Sequence, residues 1–154
     1  MPVAHRIVKA RHARDAFNGQ GARIAGGRWN LPGDAVVYAS SSLALAAIEA
    51  FVHLGDDGIH IEFVCFRIEI PDAVAVARCR RPPTSWRAEP PQPASMRYGS
   101  NWLRRQRSAV LEVPSAIVPS ESNYLLNPRH PDFALLRVGR ARPFTFDPRM
   151  WRAR

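Results

Sequence analysis

Lysine is nearly missing from this chain of 154 residues: Lys9 is the only one among 22 basic side chains, and the rest are arginine. Arginine presents a planar fork of donors that suits paired contacts to phosphate and carboxylate. A compositional bias of the genome would give the same replacement with no function, so the arginines as a class name no ligand. Acidic side chains are also scarce, 13 in all, which leaves a net charge of +9. That balance attracts polyanions, and nucleic acid, an acidic partner or a phosphorylated ligand all satisfy it. Cysteine is limited to Cys65 and Cys79. They form no C-x-x-C pair, and with the five histidines they give no zinc-type spacing, which excludes a disulfide framework and argues against a metal site. Two buried free thiols in a reducing compartment are expected. No run approaches the ~20 apolar residues of a membrane span. His5, Arg6, Lys9, Arg11 and Arg14 break up the N-terminus, so no signal-peptide core can be drawn. A cytoplasmic protein is expected. Nucleotide-binding signatures are missing as well: no G-x-G-x-x-G or G-K-[ST] follows a strand, and no G-x-S-x-G elbow occurs.

What is present reads as one globular domain over residues 1–154, with 46% hydrophobic and 23% charged residues. Strands are expected at Val3–Val8, Ala35–Ala39, Ile59–Ile70, Ala73–Cys79, Ala109–Val113, Ser115–Val118 and Phe144–Phe146. The alternation in Ile59–Ile70 slips at Phe63, which predicts a bulge or burial on both faces. Three serines offer an N-cap to a helix over Leu43–Leu54 that Gly55 ends. A second helix spans Ser95–Arg107, with Gly99 an awkward interior residue. The five prolines of Arg81–Pro93 make that stretch a surface loop within the domain. Strands mixed with few helices, lacking βαβ regularity, predict an α+β fold.

Three residues, Arg28, Glu49 and Ser115, sit in contexts their neighbours make unusual. Glu49 is the only acid between Ser42 and Leu54, on a helical stripe of serine, alanine and His53 opposite the apolar face. Such a stripe is either solvated or small enough to let a ligand approach. Arg28 follows Gly26-Gly27, so it is either an exposed arginine on a tight turn or a clamp for a pyrophosphate. Trp29 beside it reads as core. Ser115, after Val113-Pro114, is either structural or a hydroxyl that holds a ligand. Asn123 and Asn127 read as turn residues bonding to backbone.

The segments carrying these residues resemble, in order, the blocks of the RES-domain family. Gly26-Gly27-Arg28-Trp29-Asn30, Val37-Tyr38-Ala39-Ser40 and the helix from Leu45 to His53 look like its first block. Val110-Leu111 through Val113-Pro114-Ser115-Ala116 looks like its second. Asn123-Tyr124-Leu125-Leu126-Asn127-Pro128-Arg129-His130-Pro131 and Pro143-Phe144-Thr145-Phe146-Asp147 look like the closing blocks. The resemblance implies an ADP-ribosyltransferase-like fold, with mixed sheets and few helices around an NAD cleft. It implies a toxin of a toxin–antitoxin pair that breaks the nicotinamide–ribose bond of NAD, passing the ADP-ribosyl group to water, phosphate or a protein. NAD is then the substrate, and no metal is implied. Catalytic roles fall to Glu49, Arg28 and Tyr38: Glu49 stabilises a ribosyl cation, Arg28 binds the pyrophosphate, and Tyr38 packs on nicotinamide or its ribose. Ser115 fixes the ligand by hydrogen bonding, and the family asparagine falls on Asn127, with Asn123 second. Arg6 resembles the opening segment, with no role assigned. The implied partner is an Xre-like helix-turn-helix antitoxin that blocks the active site, with a homodimer or larger toxin–antitoxin complex and no membrane or direct nucleic-acid contact. The rival reading, from the arginines and above all Arg104-Arg105-Gln106-Arg107, is a basic nucleic-acid-binding protein or ribonuclease toxin.

Overall fold

The computed structural model describes residues 1–152. Eight strands form one sheet: β1 (Val3–Lys9), β2 (Val37–Ser40), β3 (Phe63–Glu69), β4 (Val76–Arg78), β5 (Val110–Pro114), β6 (Ser122–Leu126), β7 (Arg137–Val138) and β8 (Arg142–Phe144). Their order is β4-β5-β6-β2-β1-β3-β7, and β8 pairs with β3 beside β7. Only β4 and β5 run parallel. Three helices, α1 (Gln20–Ala25), α2 (Leu43–Phe51) and α3 (Pro93–Arg105), complete an α+β fold.

Successive residues of a strand face opposite sides of the sheet, and here both sides are packed. Val37, Val110, Tyr124 and Leu126 join one buried cluster with Ile68 and Ile70, while Val36, Leu111, Val113 and Leu125 join another with Trp29 and Trp102. Burial on both faces is why neighbouring residues are both apolar in these strands, Val110 with Leu111 in β5 and Leu125 with Leu126 in β6. Helix α3 covers the second cluster: Ser95, Gly99, Trp102 and Leu103 are buried at helical spacing, and Pro93 starts it where no N–H is needed. A side chain on Gly99 would lie 1.7 Å from the Trp29 carbonyl oxygen. The glycine that weakens the helix by propensity is the point at which α3 touches the Arg28 turn.

Several boundaries differ from expectation. β3 begins at Phe63, because residues 56–60 form a 3-10 turn. The slip at Phe63 is therefore the strand's start, with no bulge. Ser115–Val118 is no strand: Ser115 accepts from the backbone N–H groups of Ile117 and Val118 through its side chain, which bends the chain into a turn. Asn123 lies inside β6, opposite Ser40 of β2 and Val113 of β5. Helix α2 starts as expected, with the Ser42 hydroxyl accepting from Leu45 N at 3.0 Å.

Candidate active site

The three adjacent strands β6, β2 and β1, with α1, α2, the 26–29 turn and the 81–93 loop, line a cleft of about 900 Å³, within the range typical of small-molecule sites. Arg6, Arg28, Tyr38, Ser40, Glu49, Arg87, Glu89 and Asn123 all line it.

Glu49 is the best-held side chain in the cleft. Its Oε1 accepts from the Ser115 hydroxyl at 2.6 Å and from Asn123 Nδ2 at 2.8 Å. Each donor is itself fixed. Ser115 Oγ accepts from two backbone amides at 3.1 and 3.0 Å, so its proton is directed to the carboxylate. Asn123 Oδ1 accepts from the Ser40 hydroxyl at 2.7 Å, across the β2–β6 pair, so its amide must point toward Glu49. Charge-assisted bonds of this kind are about twice as strong as neutral ones. Oε2 has no donor among the described residues, leaving one carboxylate oxygen free on the cleft side. The small residues of the α2 stripe do what spacing allowed: Ala46 and Ala50 line the cleft beside Glu49.

Arg28 is positioned by a turn built for close contact. Gly26 takes φ +72°, and a side chain on Gly27 would sit 2.8 Å from the Tyr38 hydroxyl. That hydroxyl donates to Asn30 Oδ1 at 2.7 Å and accepts from Trp29 N at 3.1 Å, locking the turn onto β2. Burial pushes the Tyr38 phenol well above its usual range, which removes it as a base. Tyr38 lines the cleft, with its hydroxyl held by the turn. Asn30, fully buried, also donates to the Ala22 carbonyl at 2.9 Å. The Arg28 guanidinium reaches the proline-rich loop: Nη1 donates to Trp86 O at 2.8 Å and Ala88 O at 2.7 Å, and Nη2 to Glu89 at 3.0 Å. The loop expected only to cross the surface is thus the roof of the cleft. Trp29, 2% exposed as core, stacks with Trp86 of the same loop at 6.2 Å.

Two expected ligand contacts move elsewhere. Ser115 is fully buried and does not line the cleft, and its hydroxyl donates to Glu49. Asn127, 2% exposed, donates to Leu103 O and accepts from Arg129 N, and it lies outside the cleft lining. It is the turn residue that the Asn-Pro dipeptide suggests, and Asn123 takes the place beside Glu49. Arg6, left without a role by the sequence, enters the site. Its Nε donates to Ala16 O and its Nη1 to Tyr38 O, both at 2.7 Å, and among the described residues no carboxylate pairs with it. Burial lowers its pKa to about 10. Alternating position on β1 is the only signal that could have marked it. Ser40, read as one of three capping serines, is a member of the Glu49 network instead, since Ser42 alone caps α2. The basic run after residue 103 is remote: Arg104 pairs with Asp34, and neither Arg105 nor Arg107 lines the cleft. Among the described residues no group of three His, Cys, Asp or Glu converges as a metal site, and no helix is long and apolar enough to cross a membrane.

Sheet and helix thus bring a braced glutamate, Glu49, and three arginines, Arg6, Arg28 and Arg87, to one cleft. The sequence profile of the RES domain matches residues 3–147, and the chain belongs to the RES-domain family. A Prs ADP-ribosylating toxin from Sphingobium sp. (strain YBL2) is 46% identical over 142 residues, covering 90% of this chain and 88% of the relative. A Toxin Res from Yersinia enterocolitica is 41% identical over 150 residues, covering 96% and 99%. In fold, the chain matches one chain of the crystal structure of the M. tuberculosis MbcT–MbcA toxin–antitoxin complex. The TM-score is 0.76, with 18% identity and coverage of 97% of this chain and 86% of that one.

Proposed function

We propose that the cleft binds NAD and that the chain breaks its nicotinamide–ribose bond, passing the ADP-ribosyl group to an acceptor, as the toxin of a toxin–antitoxin pair. The observation that carries this reading is the single free oxygen of Glu49, whose partner oxygen is held by Ser115 and Asn123. Cleavage of an N-glycosidic bond places positive charge on the ribose ring, as in glycoside hydrolysis. A fixed carboxylate beside that ring stabilises the charge without having to reorganise. The free oxygen also accepts from a ribose hydroxyl. Nicotinamide is cationic in NAD and leaves neutral, carrying away the bonding pair, so no general acid is required. The Tyr38 ring forms an apolar wall for the nicotinamide end. Arg6 and Arg28 supply the positive charge that the pyrophosphate requires, and Arg28 also keeps the roof in place through the Trp86 and Ala88 carbonyls.

The name of one relative suggests which acceptor to test first. The Sphingobium relative is named for ADP-ribosylation of Prs, which makes a protein side chain the first acceptor to test, ahead of water and phosphate. The partner is an antitoxin, proposed as Xre-like and seated over the cleft, and the pair acts in the cytoplasm. No metal takes part. The test is incubation of purified protein with NAD, with and without phosphate or purified Prs, with products identified by mass spectrometry. NAD left intact with every acceptor would overturn the reading.

A further inference from the structure

Among the charged residues lining the cleft, Glu89 is held differently from the rest. Arg6, Arg28 and Arg87 all donate to backbone carbonyls, and Glu49 is fixed by two side chains. Glu89 has one partner, Arg28 Nη2 at 3.0 Å, and its side chain is 78% exposed, against 18% for Arg28. Its backbone has no such freedom. The preceding residues are anchored through Trp86 O and Ala88 O to Arg28, and Arg87 Nε ties the loop to Ala116 O at 2.8 Å. An exposed carboxylate with a single partner is thus presented, by an anchored loop, to the outer edge of a guanidinium whose inner edge is fully occupied. Both Nη1 protons of Arg28 go to carbonyls, so an incoming anion has access only through Nη2 and Nε, the side that Glu89 occupies.

We propose that Glu89 is the resident counterion of Arg28, which the diphosphate of NAD displaces, so that Glu89 sets the affinity for NAD and ADP-ribose alike. The proposal rests on the reading of the cleft as an NAD site. Displacement is cheap because an exposed ion pair is weak and screened, whereas a diphosphate brings two charges and can also use Arg6. Nicotinamide carries no phosphate and leaves the Arg28–Glu89 pair intact. After bond cleavage the product still carries the diphosphate, and return of Glu89 to Arg28 favours its release.

The test is calorimetric titration with inorganic pyrophosphate and with ADP-ribose, alongside NAD kinetics. The wild type is compared with Glu89→Gln and with Glu62→Gln, which removes one exposed negative charge outside the cleft lining. Glu89→Gln should tighten pyrophosphate binding by roughly two- to fivefold, as expected for an exposed ion pair, and Glu62→Gln should not. KM for NAD should fall by a similar factor, with Tm unchanged. In an Arg28→Gln background the effect of Glu89→Gln should vanish, and if that background fails to fold, the comparison with Glu62→Gln decides. Equal pyrophosphate affinity in the wild type and Glu89→Gln overturns the proposal, as does a wild type that binds no pyrophosphate. A wild type that binds pyrophosphate yet leaves NAD intact overturns the NAD reading, and the same titrations still decide the role of Glu89.

Discussion

Replacing Glu49 with glutamine separates charge from shape. Both donors to Glu49 converge on Oε1. A glutamine amide oxygen in that place still accepts from Ser115 and Asn123, and its NH₂ group takes the open position of Oε2. Two charge-assisted bonds become neutral ones, a loss of about 1 kcal/mol in all, because net hydrogen-bond contributions are small. For a domain of this size that shifts Tm by roughly 2–4 °C. Turnover should respond far more. Removing one group aimed at developing charge costs about 10²–10³ in rate, or about 2.7–4 kcal/mol. The charge develops only in the transition state, so the loss should fall mainly on kcat, with a smaller rise in KM for NAD from the lost ribose-hydroxyl contact. Nicotinamide release under saturating NAD, paired with a thermal melt, measures both quantities. A folded Glu49→Gln protein with wild-type turnover would refute the argument and make Glu49 a structural anchor for β6 and the 115–118 turn. A rise in KM matching the fall in kcat/KM would make it a binding group only.

The two asparagines should respond in opposite ways. Asn123→Ala removes one charge-assisted bond to Glu49 and should lower kcat by about tenfold or more, whereas Asn127→Ala should cost roughly 1–3 kcal/mol of stability with kcat unchanged, measured by kinetics and denaturant melts. Gly99→Ala places a methyl group against the Trp29 carbonyl. It should destabilise the fold by about 3 kcal/mol and disturb the Arg28 turn, and an unchanged Tm would refute that contact. Burial first, and the Arg67 charge second, hold the His5 imidazole below its usual range. The unfolded chain therefore takes up a proton first, and stability should be full above about pH 6.5 and decline as pH falls below it. His5→Gln should flatten that slope in Tm measured between pH 7.5 and 5.

How much of this was legible in the sequence depended on whether the signal was local. The α2 start was legible because a serine cap and an apolar stripe lie within one turn of each other. Most strand positions were legible from their apolar runs. β6 was hidden because Asn123 and Asn127, four apart, both suggest turns, and only pairing with β2 and β5 separates a strand interior from a strand end. The two-residue β7 and the six-residue α1, flanked by Gly19 and Gly26, carry too few residues for a periodic signal. Glu49 and Arg28 stood out by context, but their partners did not. The Ser115–Glu49 contact spans 66 residues and the Arg28–Ala88 contact 60. The roof role of the proline-rich loop follows from those distant contacts, and no composition rule encodes it.

The arginine excess, uninformative as a composition, becomes informative once its partners are known. Arg78, Arg104 and Arg149 are each paired with a carboxylate and mostly exposed, so much of their field is cancelled locally or screened by solvent. Arg6, Arg28 and Arg87 instead donate to the carbonyls of Ala16, Tyr38, Trp86, Ala88 and Ala116. A carbonyl satisfies a donor and fixes its direction without neutralising its charge. These three line the cleft, and among the described residues Glu89 is the only carboxylate that pairs with any of them. Arg6 shows the consequence most plainly, since burial lowers its pKa to about 10, as expected where positive charge is desolvated without a counterion. The hydrogen bonds of Arg28 and Arg87 hold the loop in place, but the charge itself is left largely uncompensated. It is compensated when an anion enters, and a dinucleotide bearing a diphosphate is the ligand whose charge and chemistry match both the arginines and the oxygen of Glu49.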